Sequence, residues 1–169
     1  PMNMKQTLAA VTLAIVGAAS HAACMTDAQA VAMVDQYMAK APAANPEGLS
    51  EDDGACSRAK VNSLLELRLG QVIGYKAGLT AAAVQKRFGY DKPVWGKLYE
   101  GMILEDGATV EAAFGARPLY EADMLVRVSS EAINQAKTPM EVLQAIDQII
   151  PFIELPDLVV LAPPKLNGP

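Results

Sequence analysis

The stretch Pro118-Leu119-Tyr120-Glu121-Ala122-Asp123-Met124-Leu125-Val126-Arg127-Val128 reads as a β-strand, rich in apolar and β-branched residues and bounded by proline. Successive side chains of a strand point to opposite faces. Tyr120, Ala122, Met124, Val126 and Val128 therefore share one apolar face, while Glu121 and Asp123 project together from the other. Two carboxylates side by side repel unless a cation, a shared proton or open solvent relieves them. One strand thus argues for a sheet and marks where acidic chemistry is concentrated.

Downstream, Thr138-Pro139-Met140-Glu141 is a capping box with proline at the first helical position. Val142, Leu143, Ile146, Ile149 and Ile150 predict the buried stripe of that helix, and Pro151 its end. Residues 152–161 then read as a strand, in which Glu154 is flanked by Ile153 and Leu155. Desolvating an unpaired carboxylate costs several kcal/mol, so Glu154 needs a partner. Two readings stay open. Glu121, Asp123 and Glu154 share a hard cation, or the first two face solvent and Glu154 pairs with an arginine such as Arg117 or Arg127.

Upstream, Thr26 caps a helix on which Ala30, Val31, Val34, Tyr37 and Met38 recur at helical spacing, ending near Ala41. Residues 41–49 carry two prolines and a glycine and form a linker. Ser50, followed by Glu51, Asp52 and Asp53, starts a second helix with negative charge at its positive end, and Gly70 stops it. Residues 71–79 read as a short strand interrupted by Gly74 and Gly78, which argues for a bulge or for close approach of something to the backbone. Lys76 lies between those glycines, either beside such an approach or solvated on an edge. Thr80 is expected to cap a helix over 81–88 closed by Gly89, and 90–96 to form a loop carrying Trp95. Residues 97–128 are mostly strand and turn, with Glu105-Asp106-Gly107 as a turn.

The 169 residues are 51% hydrophobic but 5% aromatic, which predicts one ordinary domain with an aliphatic core. At the N-terminus, Lys5, an apolar run over 8–19 and Ser20-His21-Ala22 read as a secretory signal cleaved before Ala23. The apolar run is short for a membrane span, and His21 disfavours a lipoprotein anchored at Cys24. An exported, periplasmic protein is expected. Cleavage would leave 13 basic against 19 acidic residues, which disfavours nucleic acid and anionic membranes as partners. It would also remove His21, the single histidine, and with it Ser-His-Asp or Cys-His catalysis. Any metal would then be held by oxygen or sulfur, and oxygen donors select hard ions. Cys24 and Cys56, two cysteines in an exported chain, are expected to form a disulfide tying the first helix to the second.

Several ordered motifs resemble one family. They are Gly74-Tyr75-Lys76-Ala77-Gly78-Leu79-Thr80, the later Gln85 and Gly89, Glu105-Asp106-Gly107-Ala108, Glu121-Ala122-Asp123 and Pro151-Phe152-Ile153-Glu154-Leu155-Pro156-Asp157. Together they are similar to the 2-hydroxypenta-2,4-dienoate (2-keto-4-pentenoate) hydratases, grouped with the oxalocrotonate decarboxylases in the fumarylacetoacetate hydrolase superfamily. The resemblance runs from about Thr26 onward. It implies an α/β (mixed α+β) fold, with small N-terminal helices (residues 23–70, after a signal at 1–22) and a bent mixed β-sheet over 71–169. It also implies magnesium or manganese on Glu121, Asp123 and Glu154, a catalytic Lys76, and substrate contacts at Gly78, Leu79 and Thr80. A homo-oligomer is expected.

The sequence departs from the family pattern in places. Asp123 replaces the more usual glutamate, and Val94 stands after Pro93 where many hydratases carry an acid. The signal is atypical, and relatives run about half as long again, so a fragment or reduced form is expected. The activity implied is metal-dependent hydration of a 2-hydroxy-2,4-dienoate through a stabilised enolate. The alternatives are decarboxylation of a 2-keto dioic acid, non-catalytic binding of a 2-keto acid, and a structural domain with an acidic face.

Overall fold

The computed structural model describes residues 24–162. The signal reading of residues 1–22, including His21, and the tail beyond 162 lie outside the described residues. Two helices come first, α1 (Asp27–Met38) and α2 (Glu51–Leu69), both begun by the capping boxes their sequences encode. Thr26 accepts from the Gln29 N–H while the Gln29 side chain returns to the Thr26 N–H. Ser50 and Asp53 do the same for α2, whose C-cap is Gly70 at φ 87°. The first helix ends earlier than expected, at Met38, where Lys40 takes a left-handed φ of 56°. Cys24 and Cys56 are disulfide-bonded, and Lys60–Asp27 (2.6 Å) and Arg68–Asp35 (3.3 Å) pair across the two helices.

The chain then forms β1 (Val72–Gly78), α3 (Ala82–Arg87), β2 (Val94–Tyr99), β3 (Glu121–Val128), α4 (Pro139–Gln144) and β4 (Ile146–Glu154). β1 pairs antiparallel with β2, and β3 pairs antiparallel with β4. The β1 ladder slips between Val72 and Gly74, the irregularity its glycines announce. Tyr99 is the one large side chain fully buried among the described residues; its hydroxyl donates to the carbonyl of Asn62 and fixes β2 on α2. Ala30, Val34, Ala43, Ala145 and Val160 complete a small aliphatic core. Ala43 reaches that core through a parallel bridge to Val160.

Several expected elements are corrected. Thr80 does not cap α3: the N-cap is Ala81, which makes no side-chain bond. Residues 94–96 are strand and not loop, because Val94 and Trp95, both strand-forming types, complete the ladder opposite Gly78 and Ala77. The helix expected to reach Ile150 stops at Gln144, and residues 146–154 form β4. There, β-branched Ile146, Ile149 and Ile150 find partners in β3, which a continuing helix would forgo. Pro151 sits within β4, opposite Met124, as a two-stranded ladder permits when the missing N–H points outward. The strand expected over 152–161 accordingly ends at Glu154. β3 likewise begins at Glu121, with Pro118 in an isolated bridge to Asp157.

Candidate active site

Glu121 and Glu154 are direct partners across the β3–β4 ladder, and Asp123 lies two residues along the same face. The strand register alone therefore gathers the three carboxylates selected from the sequence. Lys76, from the other sheet, reaches across and its Nζ pairs with Glu154 Oε1. The Glu154 side chain is 17% exposed and that of Lys76 42%. Burial pushes the Lys76 ammonium below its ordinary value, while the negative charge of Glu121 and Asp123 pulls it back up. The alternative that Glu154 pairs with an arginine is overturned: Arg127 binds Asp147 bidentately at 2.8 and 2.9 Å, and Arg117 donates to the Leu161 carbonyl.

Lys76 stands in a clearing made of glycine. On its face of β1 its neighbours two residues away are Gly74 and Gly78, and directly across the ladder is Gly96. A side chain at Gly74 or Gly96 would meet only ordinary contacts, Leu98 and Lys76 at 3.7 Å, so sterics alone do not demand glycine there, whereas one at Gly78 would press on Val94 at 3.3 Å. Behind the clearing, Leu79 holds a left-handed φ of 52°, unusual for a bulky residue. The Gln85 amide donates to the Leu79 carbonyl at 2.7 Å and secures that turn. Thr80 is exposed beside it. On the opposite face of the ribbon Tyr75 meets Trp95 edge-on at 5.8 Å, and Arg58 lies 4.7 Å over the Trp95 ring, anchoring β2 to α2.

Asp157 has a structural part that its place in the motif did not reveal. Its carboxylate accepts from the N–H groups of Ala116 (2.9 Å) and Arg117 (2.6 Å), and it lies so close to Gly115 that no side chain fits there. It thereby pins the loop that leads into β3.

The donor set of Glu121, Asp123 and Glu154 suits a hard cation by chemistry. Its arrangement here is not a closed ligand shell: among the described residues no three acidic, histidine or cysteine groups are placed to hold a metal, and the cation on Glu154 is Lys76. The site is an open face. A cavity of about 230 Å³, lined by residues including Phe114, Tyr120 and Leu155, lies beside the start of β3 and does not include Lys76. No helix among the described residues is long and apolar enough to cross a membrane.

No family model matches the chain. A 2-keto-4-pentenoate hydratase of Paraburkholderia xenovorans (strain LB400) is 32% identical over 104 residues, covering 61% of this chain and 39% of the relative. A 4-oxalocrotonate decarboxylase of Pseudomonas putida is 28% identical over 92 residues, covering 54% of this chain and 35% of the relative. Among solved structures, the 4-oxalocrotonate decarboxylase from Pseudomonas putida G7, complexed with magnesium and adipate, superposes with a TM-score of 0.69 at 23% identity. That match covers 80% of this chain and 53% of the decarboxylase. The chain thus spans about half the length of the proteins it matches, or less. Its mixed α/β architecture is of the fumarylacetoacetate hydrolase type, and in sequence the chain is similar to the 2-keto-4-pentenoate hydratase and 4-oxalocrotonate decarboxylase group.

Proposed function

We propose that this chain carries the lysine and carboxylate half-site of a hydro-lyase acting on a 2-hydroxy-2,4-dienoate, the enol form of a 2-keto-4-enoate. The observation that carries the reading is the convergence of Lys76 from β1 with Glu121, Asp123 and Glu154 from β3 and β4 on one open, glycine-flanked face. Similarity to hydratases supports the substrate class. Glu121, Asp123 and Glu154 are the residues that would hold magnesium or manganese, and a bound ion would supply Lewis-acid stabilisation of charge on the substrate's 2-oxygen.

Lys76 is the residue of this chain that acts on the substrate itself. Its ammonium offers hydrogen bonds and positive charge to a carboxylate or enol oxygen entering the clearing, and so favours the anionic form. Gly74, Gly78 and Gly96 let a flat conjugated acid lie against the ribbon. Protonation of the dienol at its far carbon yields an unsaturated 2-keto acid. Conjugate addition of water then gives a 4-hydroxy-2-keto acid, with both parts of the water retained and no redox change. The disulfide supports the reading that the protein works in an oxidising, exported setting.

A second reading is supported by sequence similarity to a 4-oxalocrotonate decarboxylase: decarboxylation of a 2-keto dioic acid, which draws on the same stabilised enolate. Incubation with each substrate class under divalent metal separates them, because decarboxylation releases carbon dioxide and hydration consumes the dienol chromophore without it. Glu121→Gln is expected to abolish metal-dependent turnover. Unchanged turnover in that variant overturns the site assignment, and ligand binding without either product reassigns the chain as a binding module for 2-keto acids.

A further inference from the structure

Among the described residues Lys76 is the one cation paired with Glu154, and it reaches that acid from the other sheet. Glu121 lies directly across the ladder from Glu154 and Asp123 two residues along, and both pull on the same ammonium. The chain thus supplies a positive charge of its own to the three carboxylates. The Glu154 side chain is largely covered, and a covered carboxylate without a counter-charge is costly, so the pair has a reason to form. It is nonetheless loosely tethered on the lysine side. Lys76 offers a point charge on a flexible four-carbon stem, with glycine two residues away on either side and across the ladder. Arg127 makes the contrast, fixed to Asp147 by two parallel bonds at 2.8 and 2.9 Å.

Resting on the half-site proposed above, we infer that Lys76 is an internal competitor for the divalent cation at Glu154, and that a substrate carboxylate lifts the competition by drawing the ammonium onto itself. An ammonium and a divalent ion beside one carboxylate repel each other, so Glu154 serves the ion fully once Lys76 has left it. A 2-keto acid lying in the glycine clearing gives Lys76 a second acceptor, an acid group that replaces the partner it gives up. One side chain then links two ligands. Metal and anion each strengthen the other by the same factor, as linkage demands, and the ion is held weakly until the acid arrives. The exchange moves a charge between two acceptors and makes or breaks no covalent bond.

The test is calorimetric titration of the full chain with manganese, with and without oxalate, for wild type, Lys76→Met, Lys76→Gln and Lys92→Met. Lys92 pairs with Glu51 at the start of α2, so its loss controls for removing any one positive charge. Complexation of manganese by oxalate in solution is common to all four and cancels in the comparison. Both Lys76 variants are expected to bind manganese alone about tenfold more tightly than wild type, with much of the strengthening by oxalate lost, while Lys92→Met behaves as wild type. A second readout needs no variant: acetylation of Lys76 by acetic anhydride, followed by peptide mass, is expected to rise with manganese and fall when oxalate is added. Manganese affinity equal to or weaker than wild type in both Lys76 variants, with the oxalate effect unchanged, overturns the inference and leaves the metal site standing. So does acetylation indifferent to manganese in a chain that binds it. Folded chains that bind no manganese with or without oxalate overturn both the inference and the half-site.

Discussion

Lys76 owes its reach to what its neighbours lack. With Gly74 and Gly78 on either side and Gly96 across the ladder, its immediate neighbours carry no side chains, only Leu98 and Val94 border the space at its edges, and its ammonium extends to Glu154. Gly96 tests this directly, since it sits in a strand with room for a side chain. Gly96→Val is expected to leave the fold intact, as β-branched residues suit strands, while lowering affinity for a 2-keto acid analogue such as oxalate at least tenfold; calorimetry reads it. Gln85 acts one step further back, through the Leu79 carbonyl. Gln85→Ala should cost about 1 kcal/mol in urea unfolding, the ordinary net worth of such a bond, and should weaken oxalate binding by loosening the left-handed turn. The carboxylates were legible in the sequence because a strand's period of two forces Glu121 and Asp123 onto one face. The Lys76–Glu154 contact was not, since it joins residues from two different ladders and no local pattern encodes it.

At the scale of elements, helix starts were readable and helix ends were not. Thr26, Ser50 and Thr138 each occupy the N-cap position their sequences announce, because a capping box is satisfied within four residues. The end of α4 depends instead on β3, whose ladder draws Ile146, Ile149 and Ile150 into β4, and only tertiary pairing decides between the two periods. Trp95 moved from loop to strand for the same reason. The α4 cap carries a pH signature. The Lys137 N–H, then the Thr138 N–H and hydroxyl, hold the Glu141 carboxyl below its ordinary value of 4.5. A carboxyl lowered on folding stabilises fully above its unfolded value, and that stabilisation disappears as pH falls through the folded one. Thermal unfolding of Glu141→Gln is therefore expected to fall below wild type near pH 6, where wild type keeps the charged cap, and the gap is expected to narrow as pH falls into the acid range.

For the molecule as a whole, the expectation of an aliphatic core holds in kind but not in size. Ala30, Val34, Ala43, Tyr99, Ala145 and Val160 are the buried apolar residues among those described, and much of the remaining apolar content lies on the surface, including the apolar face of the β3–β4 ribbon. A small core places weight on long-range ties. Asn45 exchanges hydrogen bonds with Ala162 at 2.7 and 2.8 Å, and the Cys24–Cys56 disulfide closes a loop across a separation of 32 residues. Removing a crosslink over such a loop is expected to cost about 3–4 kcal/mol on the chain-entropy model. Cys24→Ser/Cys56→Ser should show that loss in urea unfolding, and a difference under 1 kcal/mol would mean that helix packing alone holds α1 on α2.

The central claim is that three carboxylates from β3 and β4, with Lys76, form one ligand-binding face. Its most direct measurement is a calorimetric titration of the folded chain with manganese, with and without oxalate, repeated on Glu154→Ala. The account predicts manganese binding that oxalate strengthens and that Glu154→Ala abolishes. A folded chain that binds neither manganese nor oxalate, with Glu154→Ala indistinguishable from wild type, would contradict it and leave Lys76 and the three acids as an ion-pair network that joins the two sheets.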